Sequence, residues 1–152
     1  MTRNNRAVGS IYEEKIAAFL KQNGFVILER NYRCKQGEID IIAKDGRYFV
    51  FIEVKYRASG SAGFSLEAID HRKALRIRNA AVYYLYSHQL PEETPCRFDA
   101  AGIDGDEITY IRDAFSGSGR MYVGLAKIHY AFDRVSGTSM RTFRMAENGA
   151  YR

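Results

Sequence analysis

The stretch "GEIDIIAKDGRYFVFIEVKYR", Gly37 to Arg57, decides how this chain folds. Two runs of alternating apolar residues flank Asp45-Gly46, a dipeptide favoured in two-residue hairpin turns. With Asp45 and Gly46 as the loop, Ile42 faces Phe49, Asp40 faces Phe51 and Glu38 faces Glu53. Side chains alternate along a strand, so these six share one face with Lys55. The opposite face, Ile39, Ile41, Ala43, Tyr48, Val50, Ile52 and Val54, is apolar throughout. A strand pair apolar on both faces belongs in the middle of a sheet, with its charges towards one end.

Those charges need an explanation. The register makes Asp40 and Glu53 diagonal neighbours, roughly 5–8 Å apart, and sets Glu38 against Glu53. Burying ionised carboxylates costs several kcal/mol each, roughly, unless they are paired or bind a cation. A divalent cation explains the shared face, the crowding and the burial together, because Mg²⁺ takes one or two carboxylates and completes its shell with water and phosphate oxygens. Lys55 would offset part of the negative charge and steady a phosphate oxygen or a water. The plain alternative is a solvated strand end with a Glu–Lys pair. A bulge near Glu38 would remove its clash with Glu53.

Outward from the hairpin, Tyr12, Ile16, Phe19 and Leu20 recur at helical spacing. They predict a helix over 10–23, with Ser10 to Glu13 as a capping box and Gly24 as its stop. Residues 25–32 read as a strand. A second helix is predicted from about Ser65 to His88, with Leu66, Ile69, Ile77, Ala80 and Tyr84 on one stripe. "CRFDAAGI" and "EITYIRDAF" read as two further strands around Asp104-Gly105. The expected order is helix, three strands, helix, two strands. "SGSG" (116–119) reads as a linker after a domain of residues 1–115. Met121, Leu125, Ile128, Phe132 and Val135 then mark an amphipathic helix whose apolar face needs a partner, either the domain or a second subunit. The residues from about Ser136 read as poorly structured.

Bulk properties narrow the class. The chain has 152 residues, 46% hydrophobic and 27% charged, which suits one globular domain. No apolar run approaches the length of a membrane span, and "MTRNNRAVGSIYEEK" lacks a signal peptide's apolar segment. Cys34 and Cys96 form no metal-binding or disulfide pattern. The expectation is a cytoplasmic protein with no membrane partner. Of the net charge of +5, residues 116–152 carry +4, so basicity by itself argues little for nucleic-acid binding by the body.

An Asp, a dozen residues, then Glu-x-Lys on adjacent strands after a helix and a strand is the PD-(D/E)xK nuclease pattern. The segment from "YEEKIAAFLKQNGFVILERNYRCKQGEID" through "FIEVKYR", then "EAIDHRKALRIRNAAVYYL" and "RFD", resembles the bacterial YraN-like family of UPF0102 type, over roughly Gly9 to Phe115. That resemblance implies a restriction-endonuclease-like, three-layer α/β/α fold with a central mixed sheet, akin to Holliday-junction resolvases. It implies Asp40 and Glu53 as ligands of Mg²⁺ or Mn²⁺ and Lys55 as the catalytic lysine. The family's acid on the first helix maps to Glu13, which is also placed to complete the Ser10 cap. Lys73 fits the family's pattern too, and borders the apolar stripe from which it could snorkel. Arg57, Lys73 and Arg76 are the expected contacts to backbone phosphates.

The function expected is metal-dependent hydrolysis of phosphodiester bonds in DNA, branched or structured DNA included. The competing expectation is a non-catalytic nucleic-acid-binding protein that keeps the nuclease fold. A homodimer formed through the C-terminal extension would suit two-strand cleavage.

Overall fold

The computed structural model describes residues 2–56, 71–114 and 140–144. A first helix, α1 (Thr2–Gln22), precedes three strands, β1 (Val26–Cys34), β2 (Gly37–Asp45) and β3 (Tyr48–Tyr56). A second helix, α2 (His71–Ser87), is followed by β4 (Cys96–Asp104), β5 (Glu107–Ile111) and β6 (Met140–Arg144). The six strands form one sheet in sequence order. Only β3 and β4 run parallel; the other neighbouring pairs are antiparallel. The parallel pair is what requires a crossover, and α2 lies within it.

Each face of the sheet is covered by one helix, giving the expected α/β/α layers. On one side Ile16, Phe19 and Leu20 of α1 pack with Ile41, Val50, Ile52 and Ile103. On the other, Ile77, Ala80, Ala81 and Tyr84 of α2 pack with Ile42, Phe51 and Phe98. The central strands β2 and β3 are therefore apolar on both faces, as their sequence requires.

Four sequence-based expectations are corrected. The helix that was expected to start at Ser10 begins at Thr2, so Ser10 lies in its interior and forms no capping box. The β2–β3 loop is Gly46-Arg47 rather than Asp45-Gly46, because Asp45 pairs with Tyr48. Gly46 has φ 57°, so the glycine takes the first loop position, where a positive φ is needed. Gly105, φ 58°, does the same between Asp104 and Glu107. Ile39 leaves the predicted face: it packs on the α2 side while Ile41 packs on the α1 side. The alternation breaks at Asp40, beside a β1 residue, Asn31, held at φ 53°. Finally, the region expected to be unstructured beyond Ser136 contributes β6, which pairs with β5 through Met140↔Ile111 to Arg144↔Glu107.

Gly24 does end α1, with φ 84° and the Phe25 amide donating to the Leu20 carbonyl. The amphipathic segment 121–135, the dimer contact assigned to it, the linker, Leu66, Ile69 and Arg57 lie outside the described residues. Among the described residues, no helix is long and apolar enough to cross a membrane.

Candidate active site

The sheet ladder between β2 and β3 stops at Ile41↔Ile52. The next position would set Asp40 opposite Glu53, two residues from the expected register. A shift of two keeps every side chain on its face, so the acids still converge although their partners change. Asp40 leaves the ladder and uses its carboxylate instead: Oδ2 accepts the Val54 amide at 2.8 Å. The hairpin therefore forks at the two acids.

Glu53 is the most constrained of the group. It is 2% exposed, and its Oε1 makes no aligned hydrogen bond. Ammonium charge faces that oxygen instead: Lys73 of α2 is in direct contact, and Lys55 Nζ lies 3.6 Å away. Burial, reinforced by Asp40 and only partly opposed by Lys73, pushes the Glu53 carboxyl up to about 7. Burial and the neighbouring Lys73 hold the Lys55 ammonium below its usual value. Burial works against the Lys73 charge as well, but its bond and attraction to Glu53 outweigh that and raise it.

Glu13 joins the cluster from α1. Burial raises its carboxyl, the Asn31 side chain opposes this by hydrogen bonding, and Asp40 and Glu38 add to the rise. With the capping box gone, Glu13 is free of that duty and faces the acids. Beside it, the Tyr12 and Tyr56 rings stack at 4.1 Å, tying α1 to the end of β3 next to Lys55. Glu38 stands apart. It pairs with Arg33 across the β1–β2 ladder, 3.4 Å away and in solvent, and does not meet Glu53.

A cleft of about 660 Å³ lies between the β1–β2 turn and α2, lined by Arg33, Cys34, Glu38, Arg72, Lys73 and Arg76; Lys73 is its link to the acid cluster. Gly37 lets the two walls approach. A Cβ there would sit 3.0 Å from the Arg76 carbonyl oxygen. Lys73 and Arg76 share this cleft, and Lys73 alone of the two is in contact with Glu53, while Arg57 lies outside the described residues.

A metal would find two carboxylates here, Asp40 and Glu53. Among the described residues, no group of three His, Cys, Asp or Glu side chains is placed to hold an ion. The donor set does not make a closed protein cage. Two carboxylates suit an ion that keeps part of its water shell, as Mg²⁺ does, and an ion there would share Glu53 with the Lys73 ammonium already in contact with its Oε1.

Residues 12–103, which span every one of these groups, match the family described as "Uncharacterised protein family UPF0102". This chain belongs to the UPF0102 family. The UPF0102 protein of Lachnoclostridium phytofermentans is 47% identical over 116 residues, 76% of this chain and 98% of that protein. That of Moorella thermoacetica is 48% identical over 103 residues, 68% and 85% of the two chains. The one from Shewanella pealeana is 40% identical over 111 residues, 73% and 97%.

A second polar cluster in this UPF0102 protein escaped sequence reasoning. Asp99, fully buried, accepts hydrogen bonds from Arg97, from the Tyr110 hydroxyl at 2.5 Å and from the Asp113 amide. Arg97 also bonds Asp45 at 2.9 Å, and Arg112 pairs with the same carboxylate. Burial alone would raise the Asp45 carboxyl, but the two guanidinium groups hold it below its usual value. The cluster runs from the hairpin turn at Asp45 to Asp99, which pairs with Ile52 beside Glu53, but it lies with Tyr110 on the α1 face of the sheet, opposite the face on which Glu53 meets Lys73. Its signal in the sequence was one aspartate inside the apolar run "CRFDAAGI".

Proposed function

We propose that this UPF0102 protein is a metal-dependent endonuclease that hydrolyses phosphodiester bonds in DNA, branched or structured DNA included. The observation that carries the reading is Glu53: a buried carboxylate beside Asp40 with two lysines on one oxygen, one of which, Lys73, also lines a basic cleft. Ordinary packing gives no reason to bury that much charge.

Asp40 and Glu53 are the residues to hold Mg²⁺ or Mn²⁺. Such an ion, when bound, polarises a phosphate and lowers the pKa of a water. Lys55 stands where an ammonium stabilises charge developing on the phosphate. Lys73 and Arg76 hold backbone phosphates along the cleft, which gives affinity without sequence choice. Glu13, with its raised carboxyl, holds or passes a proton at the edge of the cluster.

The test is cleavage of linear, nicked and four-way-junction DNA with Mg²⁺, wild type against Asp40→Ala. Loss of cleavage in the variant supports the reading. Salt-sensitive DNA binding without cleavage by either protein would replace it with a binding module on a nuclease fold.

A further inference from the structure

The outward face of α2 carries chemistry that the catalytic cluster does not use. The helix "HRKALRIRNAAVYYLYS" holds four basic residues and no acidic one. Lys73 turns inward to Glu53. Arg72, Leu75, Arg76, Tyr83 and Tyr86 fall within about 100° of one another on the helical wheel, opposite the buried stripe. Leu75 is 41% exposed, Tyr83 43% and Tyr86 62%. Single exposed apolar residues are ordinary. Three in line with two arginines, on a helix with no acidic residue of its own, form an aromatic and cationic track. Its first turns are the wall of the cleft, and Tyr86 lies about 15 Å beyond Arg76 along the axis.

We infer that this face of α2 binds single-stranded nucleic acid leading away from the cleft, with phosphates on Arg72 and Arg76 and unpaired bases stacked on Tyr83 and Tyr86. Charge alone would hold duplex and single strand alike. Exposed tyrosine rings select the single strand, because its bases are free to unstack onto them while those of a duplex are not. The inference rests on the nuclease reading only for its direction, and it makes the substrate one with a single-stranded arm beside the cleaved bond.

The experiment is fluorescence anisotropy with a labelled 20-nucleotide single strand and the corresponding duplex, using the full chain in EDTA. The Tyr83→Ala/Tyr86→Ala variant is expected to bind the single strand about tenfold or more weakly and the duplex as wild type does. Both substitutions are at exposed positions, and an unchanged melting temperature confirms the fold. Tyr83→Phe/Tyr86→Phe retains the affinity. Unchanged single-strand binding overturns the inference, as does an equal loss on duplex. Loss of a dimer in light scattering with binding intact also overturns it and assigns the face to a second copy. A cleavage assay separates the two readings: absence of cleavage of any DNA by wild type, alongside tyrosine-dependent single-strand binding, removes the nuclease and leaves the track.

Discussion

Asp40 Oδ2 accepts the Val54 amide hydrogen at 2.8 Å, one step past the last backbone pair of the β2–β3 ladder, Ile41↔Ile52. A side chain of one strand thus stands in for the backbone of that strand. The substitution does two things together. It satisfies a main-chain donor that the fork would otherwise leave without a partner, and it fixes the carboxylate beside Glu53.

This division of labour separates two substitutions at Asp40. Asparagine keeps an acceptor for Val54, and Asp40→Asn is expected to unfold in urea within about 0.5 kcal/mol of wild type. Alanine leaves the amide without a partner, a loss of about 1–3 kcal/mol. Both variants are expected to lose the proposed Mg²⁺-dependent cleavage. Equal destabilisation by the two would show that the hydrogen bond is not what matters at this position.

Glu53 gives a signed pH dependence. Its carboxyl rises from 4.5 to about 7 on folding. Between these values the folded chain keeps a proton that the unfolded chain has lost. Glu53 therefore contributes stability that is fully present below about pH 4.5 and is lost as pH rises to 7. At about 1.4 kcal/mol per pKa unit the swing is of order 3 kcal/mol. In urea titrations at several pH values, wild type should lose stability across that window relative to Glu53→Gln. Mn²⁺ at pH 8 should raise the melting temperature of wild type and leave that of Glu53→Gln unmoved. Parallel stability curves for the two proteins would contradict the assignment.

How much of this was legible follows from what sequence periodicity encodes. Faces were readable because a period of two survives a register error of two: Asp40, Glu53 and Lys55 were found together although the loop proved to be Gly46-Arg47. Partners were not readable, because they depend on the loop itself; Glu38 was set against Glu53 and instead meets Arg33. The Ser10–Glu13 spacing mimicked a cap because the same four-residue pattern also occurs inside a helix, here one that starts at Thr2. The left-handed Asn31 and the face switch at Ile39 have no local signature. Lys73 was expected to contact phosphate, but its contact with Glu53 joins α2 to β3 and no spacing rule reports it.

That contact yields a third expectation. Breaking a buried ion pair usually costs about 3–5 kcal/mol. Lys73 has a 41% exposed side chain and Lys55 remains 3.6 Å from Glu53, so Lys73→Met should lose about 1–2 kcal/mol at pH 8. At pH 6 Glu53 is largely protonated in both proteins and the loss should shrink. Lys73→Arg should recover most of it. Chemical denaturation at the two pH values measures this directly, and a loss independent of pH would mean that Lys73 stabilises through packing alone.

The Asp99 cluster should behave in the opposite way to the fork. Its carboxylate is fully buried and binds Arg97, Tyr110 and the Asp113 amide, so it holds β4, β5 and the segment after β5 together. Asp99→Ala removes the acceptor and leaves the half-buried Arg97 guanidinium with Asp45 alone. A loss of about 3–5 kcal/mol is expected, with a lower melting temperature and a chain that fails to accumulate on expression at 37 °C. Tyr110→Phe, which deletes one hydrogen bond to a charged acceptor, should lose about 1.5–3 kcal/mol. At temperatures where the variants remain folded, Mn²⁺ binding should match wild type, because Asp99, although paired with Ile52 beside Glu53, reaches Tyr110 on the α1 face of the sheet while Glu53 meets Lys73 on the α2 face. Weakened Mn²⁺ binding by folded Tyr110→Phe would show instead that the two faces of the sheet are coupled.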